Sequence, residues 1–310
     1  MLAIETRSLT RRFGKLTAVD NLDLQVPTGS LFGLIGPNGA GKTTTLRMLT
    51  GLLQPTAGEI LINGQVANHD WRELQRQIGY MPDFFGVYED MLVWEYLDFF
   101  ARCYDVPSAR RRQVTDELLE LVDLATKRDA YVHTLSRGMQ QRLCLAHALV
   151  HDPRVLLLDE PASGLDPRAR VEMRELLREL GAMGKTVVVS SHILTELAEL
   201  CNSVGIIEQG RLVASGPLDE ITRQVRQERT LRLKVISDQS QAEAVLRDQP
   251  SVGQVYEVNG YLEVEFLGDD EATADLLAGI VTRGVRIASF SEMSSDLEEV
   301  FLRLTKGEVA

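Results

Sequence analysis

A glycine-rich segment near the N terminus has the residue types and the spacing that bind a phosphate chain. Residues 36–43 fit the pattern Gly-x-x-x-x-Gly-Lys-Thr, between an apolar run and a helical pattern. Because glycine lets the backbone fold closely around an anion, successive amide N–H groups and the helix N terminus can face the same phosphates. The Lys42 ammonium would reach the β- and γ-phosphates, and the Thr43 hydroxyl would ligate Mg²⁺. The segment predicts an ATP site made of Gly36, Pro37, Asn38, Gly39, Ala40, Gly41, Lys42, Thr43 and Thr44.

Two adjacent carboxylates follow a second apolar run. Residues 154–160 read Arg-Val-Leu-Leu-Leu-Asp-Glu. A strand over this run would carry Asp159 to its end, where the carboxylate can hold Mg²⁺ through water. Glu160 would then polarise an attacking water as a general base. An acidic pair can also cap a turn, but in a chain that has a phosphate segment it predicts hydrolysis of the nucleotide.

Alternating apolar runs and helical patterns supply the framework for these residues. Strands are predicted over residues 31–35, 155–158, 186–190 and 203–207. Helices are predicted over residues 42–53 and 168–183. This alternation is typical of an α/β domain with a mostly parallel sheet. Between residues 80 and 158 the strand signal lapses and Leu, Arg and Glu dominate. That stretch predicts a helical subdomain, at about residues 84–152, inserted into the α/β core.

A second domain is predicted from the composition change near residues 223–229. Its pattern is strand 230–236, helix 239–248, strand 252–258, strand 261–267, helix 270–283 and strand 285–291. Asn259-Gly260 between the middle two strands favours a hairpin turn. The order βαββαβ indicates a ferredoxin-like unit, followed by an amphipathic helix over 295–304. The predicted domains are therefore 1–226 and 229–310, and two domains suit a chain of 310 residues.

Four further segments resemble those of one family. Leu135-Ser-Arg-Gly-Met-Gln-Gln-Arg142 resembles the signature segment of ABC-type ATPases, and Ser163-Gly-Leu-Asp-Pro167 resembles their D-loop. Ser190-Ser-His192 is similar to their switch histidine, and 78–83 lies where their Q-loop belongs. Residues 1–225 thus resemble the ATP-binding subunits of ABC transporters, and the tail resembles that of prokaryotic ABC-2 type exporter ATPases. The resemblance implies a P-loop NTPase ABC ATPase domain, with its helical subdomain, plus a small C-terminal α+β domain.

The resemblance also implies roles for particular residues. His192 would contact the γ-phosphate beside Glu160, and Phe13 would stack on the adenine, unless Phe13 is an ordinary core residue. The chain would form a two-fold dimer in which each ATP lies between one phosphate segment and the partner's signature segment. The residues reaching the partner's ATP would be Ser136, Gly138 and Met139, and the D-loop residues at the dimer interface would be Ser163, Gly164, Leu165 and Asp166.

Three positions depart from the family pattern. Arg137 replaces the usual first glycine of the signature segment, and Met139 replaces the usual glutamine. Asp83 stands where the family has glutamine or glutamate. Because aspartate is one methylene shorter, direct ligation of the metal by Asp83 is an open question.

An aromatic-rich segment predicts a protein partner. Eight of the 18 aromatic residues lie between residues 84 and 104. In the family this region receives a helix of the membrane subunit, and aromatic anchors suit such an interface. Phe84, Phe85 and Tyr88 are the predicted contacts, whereas the aromatic residues of the following helix can equally form its core face.

Composition narrows the function classes. No apolar stretch approaches the ~18 residues that span a bilayer, so we expect a peripheral protein at the cytoplasmic face of the cell membrane, bound to a multi-span permease. The net charge of −12 gives no basic excess for nucleic acid. The predicted function is ATP hydrolysis that drives transport, with export preferred. The alternative is a soluble ABC ATPase acting in nucleic-acid maintenance, translation or cofactor assembly.

Overall fold

The computed structural model describes residues 1–67, 71–84, 86, 88, 90–225, 229–236 and 239–293. Its strands are β1 (Leu2–Phe13), β2 (Leu16–Leu22), β3 (Gln25–Pro27), β4 (Leu31–Ile35), β5 (Ala57–Ile62), β6 (Gln65–Val66), β7 (Ile78–Met81), β8 (Val155–Asp159), β9 (Thr186–Ser191), β10 (Ser203–Glu208), β11 (Arg211–Pro217), β12 (Arg229–Val235), β13 (Val252–Val258), β14 (Tyr261–Phe266) and β15 (Ile287–Met293). Its helices are α1 (Lys42–Leu49), α2 (Trp71–Gln75), α3 (Val93–Cys103), α4 (Ser108–Leu121), α5 (Arg137–Leu149), α6 (Pro167–Ala182), α7 (Leu194–Leu200), α8 (Leu218–Val225), α9 (Gln239–Arg247) and α10 (Asp270–Thr282). None of these helices is long and apolar enough to cross a membrane.

The chain divides into two compact units. The first contains Met1–Leu218, and the second begins at Asp219. The division falls inside α8, several residues before the boundary at 226–229 that the composition suggests, because compactness groups most of α8 with the second unit.

A six-stranded sheet positions the predicted chemistry. Its order is β11-β10-β4-β9-β8-β7, and the five strands from β10 to β7 are parallel. All residues of β8 and β9 are buried, as a parallel sheet covered on both faces requires. In the register of these strands Ile35 lies beside Ser191, and Asp159 lies beside Ser190. The carboxyl ends of β4, β8 and β9 therefore meet at one edge.

An antiparallel sheet forms the second layer of this unit, and the sequence analysis did not predict it. Its order is β2-β1-β5-β6, and β3 also pairs with β1. Ile4 of β1 and Ile60 of β5 share a buried cluster with Leu34 of β4 and Leu46 of α1. The layer thus packs against the elements on either side of the phosphate segment.

Helices fill the connection between two neighbouring strands. β7 and β8 pair directly, with Ile78 opposite Val155. Between them lie α3, α4 and α5, together with two short 3₁₀ turns at 125–127 and 132–134. In the described part of this connection, Leu92 and Tyr131 form an isolated β-bridge, and helices make up the rest of its regular structure. The helical insertion indicated by the sequence is present.

The second unit has the split βαβ arrangement. Its sheet order is β13-β14-β12-β15, and every pair is antiparallel. The strands joined by α9 are separated by β14, and those joined by α10 are separated by β12. Asn259 and Gly260 have φ of +50° and +78°, which the predicted hairpin turn requires. The predicted helix 295–304 lies outside the described residues.

Candidate nucleotide-binding and catalytic site

The phosphate segment links the end of β4 to the start of α1. Gly39 and Gly41 have φ of +83° and +104°, in the left-handed region that favours glycine. A Cβ on Gly41 would lie 2.5 Å from the carbonyl oxygen of Ala18, and one on Gly36 would collide with the carbonyl oxygen of Ile207. These glycines are therefore required by the fold of the loop itself.

Lys42 is held inside this loop. Its side chain is buried, and Nζ donates to the carbonyl oxygens of Gly36 at 2.7 Å and Pro37 at 3.2 Å. Burial lowers the pKa of Lys42, and the nearby carboxylates of Glu160 and Asp159 oppose that effect. A cation enclosed in this way is suited to an anionic ligand in the loop.

An open cavity of about 360 Å³ brings the predicted residues together. Asp83, Glu160, Ser163 and His192 share it with the phosphate segment. Its lining consists of Ala18, Asn38, Gly39, Ala40, Gly41, Lys42, Thr43, Thr44, Asp83, Glu160, Ser163 and His192. Five segments that are separate in the sequence thus contribute to one cavity beside the phosphate segment.

Ser190 connects the two acidic residues, and the sequence analysis assigned it no role. Its hydroxyl donates to Oδ1 of Asp159 at 2.6 Å. The backbone N–H of Glu160 donates to both the carbonyl oxygen and the hydroxyl of Ser190, each at 3.1 Å. Glu160 has φ of +52°, which costs on the order of 1 kcal/mol for a residue with a side chain. A serine that directly follows three valines of a buried strand, two residues before the histidine, is the signal that could have indicated it.

The Glu160 carboxylate and the His192 ring are in direct contact. Nδ1 of His192 lies 2.7 Å from Oε2 and 2.9 Å from Oε1 of Glu160. The Glu160 side chain is mostly buried, whereas that of His192 is about half exposed. The end of β8 delivers the carboxylate and the end of β9 delivers the imidazole. A base held next to a histidine at the phosphate cavity can accept a proton from water.

The oxygen donors at this edge fit a magnesium ion. Oδ2 of Asp159 is buried and has no hydrogen-bond partner, and the residue is 1% exposed. Thr43 lines the cavity. Mg²⁺ uses one or two protein oxygens together with phosphates and water. Over the described residues, no group of three or more His, Cys, Asp or Glu is placed to bind a metal.

The signature segment starts α5 and contacts the D-loop of its own chain. The Ser136 hydroxyl accepts from the backbone N–H of Met139 at 3.3 Å, which caps the helix. A Cβ on Gly138 would lie 3.3 Å from Leu165, and one on Gly164 would meet the guanidinium of Arg137. Ser136, Gly138 and Met139 are not among the residues that line the cavity of their own chain.

Phe13 is not a core residue, which removes that alternative. It ends β1, and its side chain is 45% exposed. The guanidinium of Arg11 lies 4.5 Å from the ring centroid. The Phe13 ring is thus exposed and in contact with a guanidinium, and it is available to stack on another ring.

The aromatic segment is partly exposed and partly core. Phe84 is 87% exposed and Tyr88 is 54% exposed, whereas Tyr96 of α3 is buried. The Tyr88 ring packs edge-on against Phe99, with centroids 5.6 Å apart. Phe85 lies outside the described residues.

Comparison with known proteins gives consistent matches along the whole chain. Residues 19–163 match the family model described as "ABC transporter", and residues 216–305 match "ATP-binding protein DrrA1-3-like, C-terminal domain". The chain is 38% identical over 307 residues to "Nod factor export ATP-binding protein I" of Burkholderia lata, covering 99% of this chain and 98% of that protein.

Two further similarities support the same grouping. An uncharacterized ABC transporter ATP-binding protein of Nostoc sp. is 37% identical over 290 residues, covering 93% of this chain and 83% of that protein. A solved structure described as "Structure of ATP binding subunit of ABC transporter" has a TM-score of 0.66 and 31% identity. That similarity covers 73% of this chain and 94% of the other.

Proposed function

This chain belongs to the ATP-binding subunits of ABC transporters, and we propose that it powers export through a separate membrane subunit. As a member of this family it is an ATP-binding, ATP-hydrolysing protein. The observation that carries the proposal of export is the similarity to a Nod factor export ATP-binding protein over both units of the chain. The cargo is left open, because it would contact the membrane subunit and not this one.

Binding of ATP would begin at the phosphate loop. Its amide groups and the buried Lys42 ammonium would neutralise the β- and γ-phosphates. The exposed ring of Phe13 would stack on the adenine. Thr43 and Asp159 would hold Mg²⁺, directly or through water, and the ion would neutralise charge on the phosphates. Asp83 is a further candidate ligand because it lines the same cavity.

Hydrolysis would then depend on the contact between Glu160 and His192. The Glu160 carboxylate would accept the proton of the attacking water while His192 holds that carboxylate and contacts the γ-phosphate. Ser190 restrains the backbone of Glu160 and the carboxylate of Asp159, so both acids keep their places relative to the loop.

The active form would be a two-fold dimer of this chain. The hydroxyl of Ser136 and the N terminus of α5 would face the γ-phosphate held by the partner, as the resemblance of this segment to the family's signature implies, because a helix N terminus favours an anion. ATP between the two subunits would hold the dimer closed, and loss of phosphate would release it. Ser163, Gly164, Leu165 and Asp166 would lie at that interface.

The membrane subunit would bind at the aromatic segment, which would place this chain at the cytoplasmic face of the membrane as a peripheral protein. Phe84 is the strongest candidate contact, since an exposed phenylalanine ring is costly in water and valuable in an interface.

Hydrolysis is tested by steady-state ATPase assays on the purified chain. Lys42→Ala should remove activity and most nucleotide affinity, whereas Lys127→Ala, at an exposed lysine outside the cavity, should retain both. Normal turnover in Lys42→Ala would contradict the assignment of the phosphate loop.

Transport is tested by sequencing the genes that flank this one and co-expressing the chain with a multi-span membrane protein found there. The wild type should co-purify in detergent and support ATP-dependent export into inverted vesicles. Phe84→Ser should weaken both, and Leu52→Ser, at another exposed apolar residue, should not. An active ATPase that neither binds the membrane protein nor supports transport would favour a soluble ABC ATPase.

A further inference from the structure

The turn over residues 163–166 is held in place by three side chains of its own subunit. Nε2 of Gln141 donates to the carbonyl oxygen of Ser163 at 2.9 Å. Nε of Arg170 donates to the carbonyl oxygen of Leu165 at 3.0 Å. Between them the Arg137 guanidinium packs against Gly164. The turn is therefore fixed from α5 on one side and from α6 on the other.

Arg170 makes a second contact, to the helix that follows the switch histidine. Its Nη1 lies 3.2 Å from Oε1 of Glu196, and both side chains are partly buried. Glu196 lies in the first turn of α7, four residues after His192. One guanidinium thus joins the turn at 163–166 to the segment that carries the histidine.

We propose that Arg170 and Glu196 are positioning residues that couple the turn at 163–166 to His192 and so keep His192 against Glu160. The inference rests on hydrolysis by Glu160 and His192 as proposed above. Residue 160 begins the connection that leads to the turn, and His192 begins the connection that leads to α7. The bridge joins these two connections to each other.

The geometry requires an arginine at position 170. A guanidinium holds several N–H groups and a charge in one rigid plane, and a lysine ammonium is a single point of charge. Nε of Arg170 donates to the turn, while Nη1 forms an ion pair with Glu196 that lacks hydrogen-bond geometry. A lysine could reach Glu196, but it has no donor at the Nε position. A glutamine has its amide nitrogen at that position, but it lacks the charge that attracts Glu196.

The surrounding charges favour the ion pair between Arg170 and Glu196. Burial raises the pKa of Glu196, and Arg170, as the largest opposing influence, favours the ionised carboxylate. The same carboxylate is attracted to His192 and repelled by Glu160. Without Arg170, the carboxylate near the catalytic pair would lose its largest compensating charge and keep only the smaller effects of His192 and Arg174.

An adjacent ion pair offers a matched control. Arg174 pairs with Glu199 between the same two helices, about one helical turn further along. The Arg174 guanidinium contacts α7 at Glu199 and exerts a smaller attraction on Glu196 than Arg170 does. Loss of this pair would remove an ion pair between α6 and α7 without touching the turn.

The test compares Arg170→Lys, Arg170→Gln and Glu196→Gln with Arg174→Gln in the full chain, by steady-state ATPase kinetics and ATP binding. Each of the first three should lower kcat about 10- to 100-fold with nearly unchanged KM and ATP affinity, since misplacement of a catalytic group by about 1 Å has that effect. Arg174→Gln should stay within about twofold of the wild type. Circular dichroism and thermal unfolding would show that all four are folded.

The double variant Arg170→Glu with Glu196→Arg distinguishes two roles of Arg170. One is to join the turn at 163–166 to α7, and the other is only to form an ion pair between α6 and α7. The double variant restores an ion pair between α6 and α7 but leaves Leu165 without its donor, so kcat should stay low. Recovery of wild-type kcat, or equal kcat in Arg170→Gln and the wild type, would overturn the inference while leaving the proposed ATPase function intact. A wild-type chain that fails to hydrolyse ATP would instead reject the proposed function.

Discussion

Nδ1 of His192 lies 2.7 Å from Oε2 of Glu160, although the two residues are separated by α6 and β9. The contact exists because β8 and β9 are parallel neighbours that end at the same edge of the sheet. It joins the candidate base to the residue that is proposed to contact the γ-phosphate. Substitutions at this contact should therefore change hydrolysis without an equal change in ATP binding.

Glu160→Gln should separate binding from hydrolysis. The amide keeps the shape of the side chain but cannot accept a proton, so we expect turnover to fall about 100-fold or more while ATP still binds. The variant should accumulate with Mg-ATP as a dimer in size-exclusion chromatography. Glu120→Gln, at an exposed residue of α4, should behave as the wild type. A Glu160→Gln protein that binds ATP and stays monomeric would argue against the sandwich dimer, or show that closure needs the membrane subunit.

Asp83→Ala tests whether this residue takes part in metal binding. Because Asp83 lines the cavity with Thr43 and Glu160, we expect a higher Mg²⁺ concentration for half-maximal hydrolysis. Asp90→Ala, at an exposed acid outside the cavity, should leave the Mg²⁺ dependence unchanged. If Asp83→Ala keeps the normal Mg²⁺ dependence and loses only its response to the membrane subunit, Asp83 serves the interface and not the metal.

His147 should make folding sensitive to acid. Burial, with a smaller contribution from His151, lowers the pKa of His147 to about 4, and its ring stacks on Phe100 with centroids 3.6 Å apart. Between pH ~6.5 and ~4 the unfolded chain therefore binds a proton that the folded chain does not, so the free energy of unfolding falls as the pH falls.

The contribution of this group is about 3 kcal/mol over the full window, since one pKa unit corresponds to ~1.4 kcal/mol. Urea unfolding at pH 7.5 and pH 5 should show a smaller loss of stability in His147→Gln than in the wild type. Equal losses in the two proteins would show that His147 does not titrate in this way.

Truncation after residue 227 should leave a folded protein that binds ATP. The phosphate loop, Glu160 and His192 all lie in the first unit, and the second unit has its own buried cluster around Leu233, Val264 and Phe266. We expect the regulation or the lifetime of the dimer to change, because an appended domain on each subunit can hold two subunits near each other.

Sedimentation of the nucleotide-free full-length and truncated proteins measures that effect. Equal monomeric behaviour would show that the second unit does not dimerise the resting protein. A truncated protein that fails to fold would place the domain boundary elsewhere.

The sequence by itself determined the residues of the phosphate loop, the acidic pair and the order of elements in the second unit. These features are local: a glycine pattern, an apolar run or a hairpin turn is encoded in contiguous residues. The predicted strand 252–258 matches β13, and the predicted helix 239–248 matches α9 to within one residue. The family resemblance predicted the surfaces that would bind the second subunit and the membrane subunit, and these surfaces remain proposals.

Only the tertiary structure decided which side chains meet. Ser190 reaches Asp159 because two strands that are separate in sequence pair in one register. Arg170 bridges Leu165 and Glu196 because α6 packs beside α7. Phe13 is exposed at the end of β1, a strand of a sheet that no local pattern predicted. Such contacts depend on strand order and helix packing over more than 25 residues of separation in several cases, and local propensity carries no information about them.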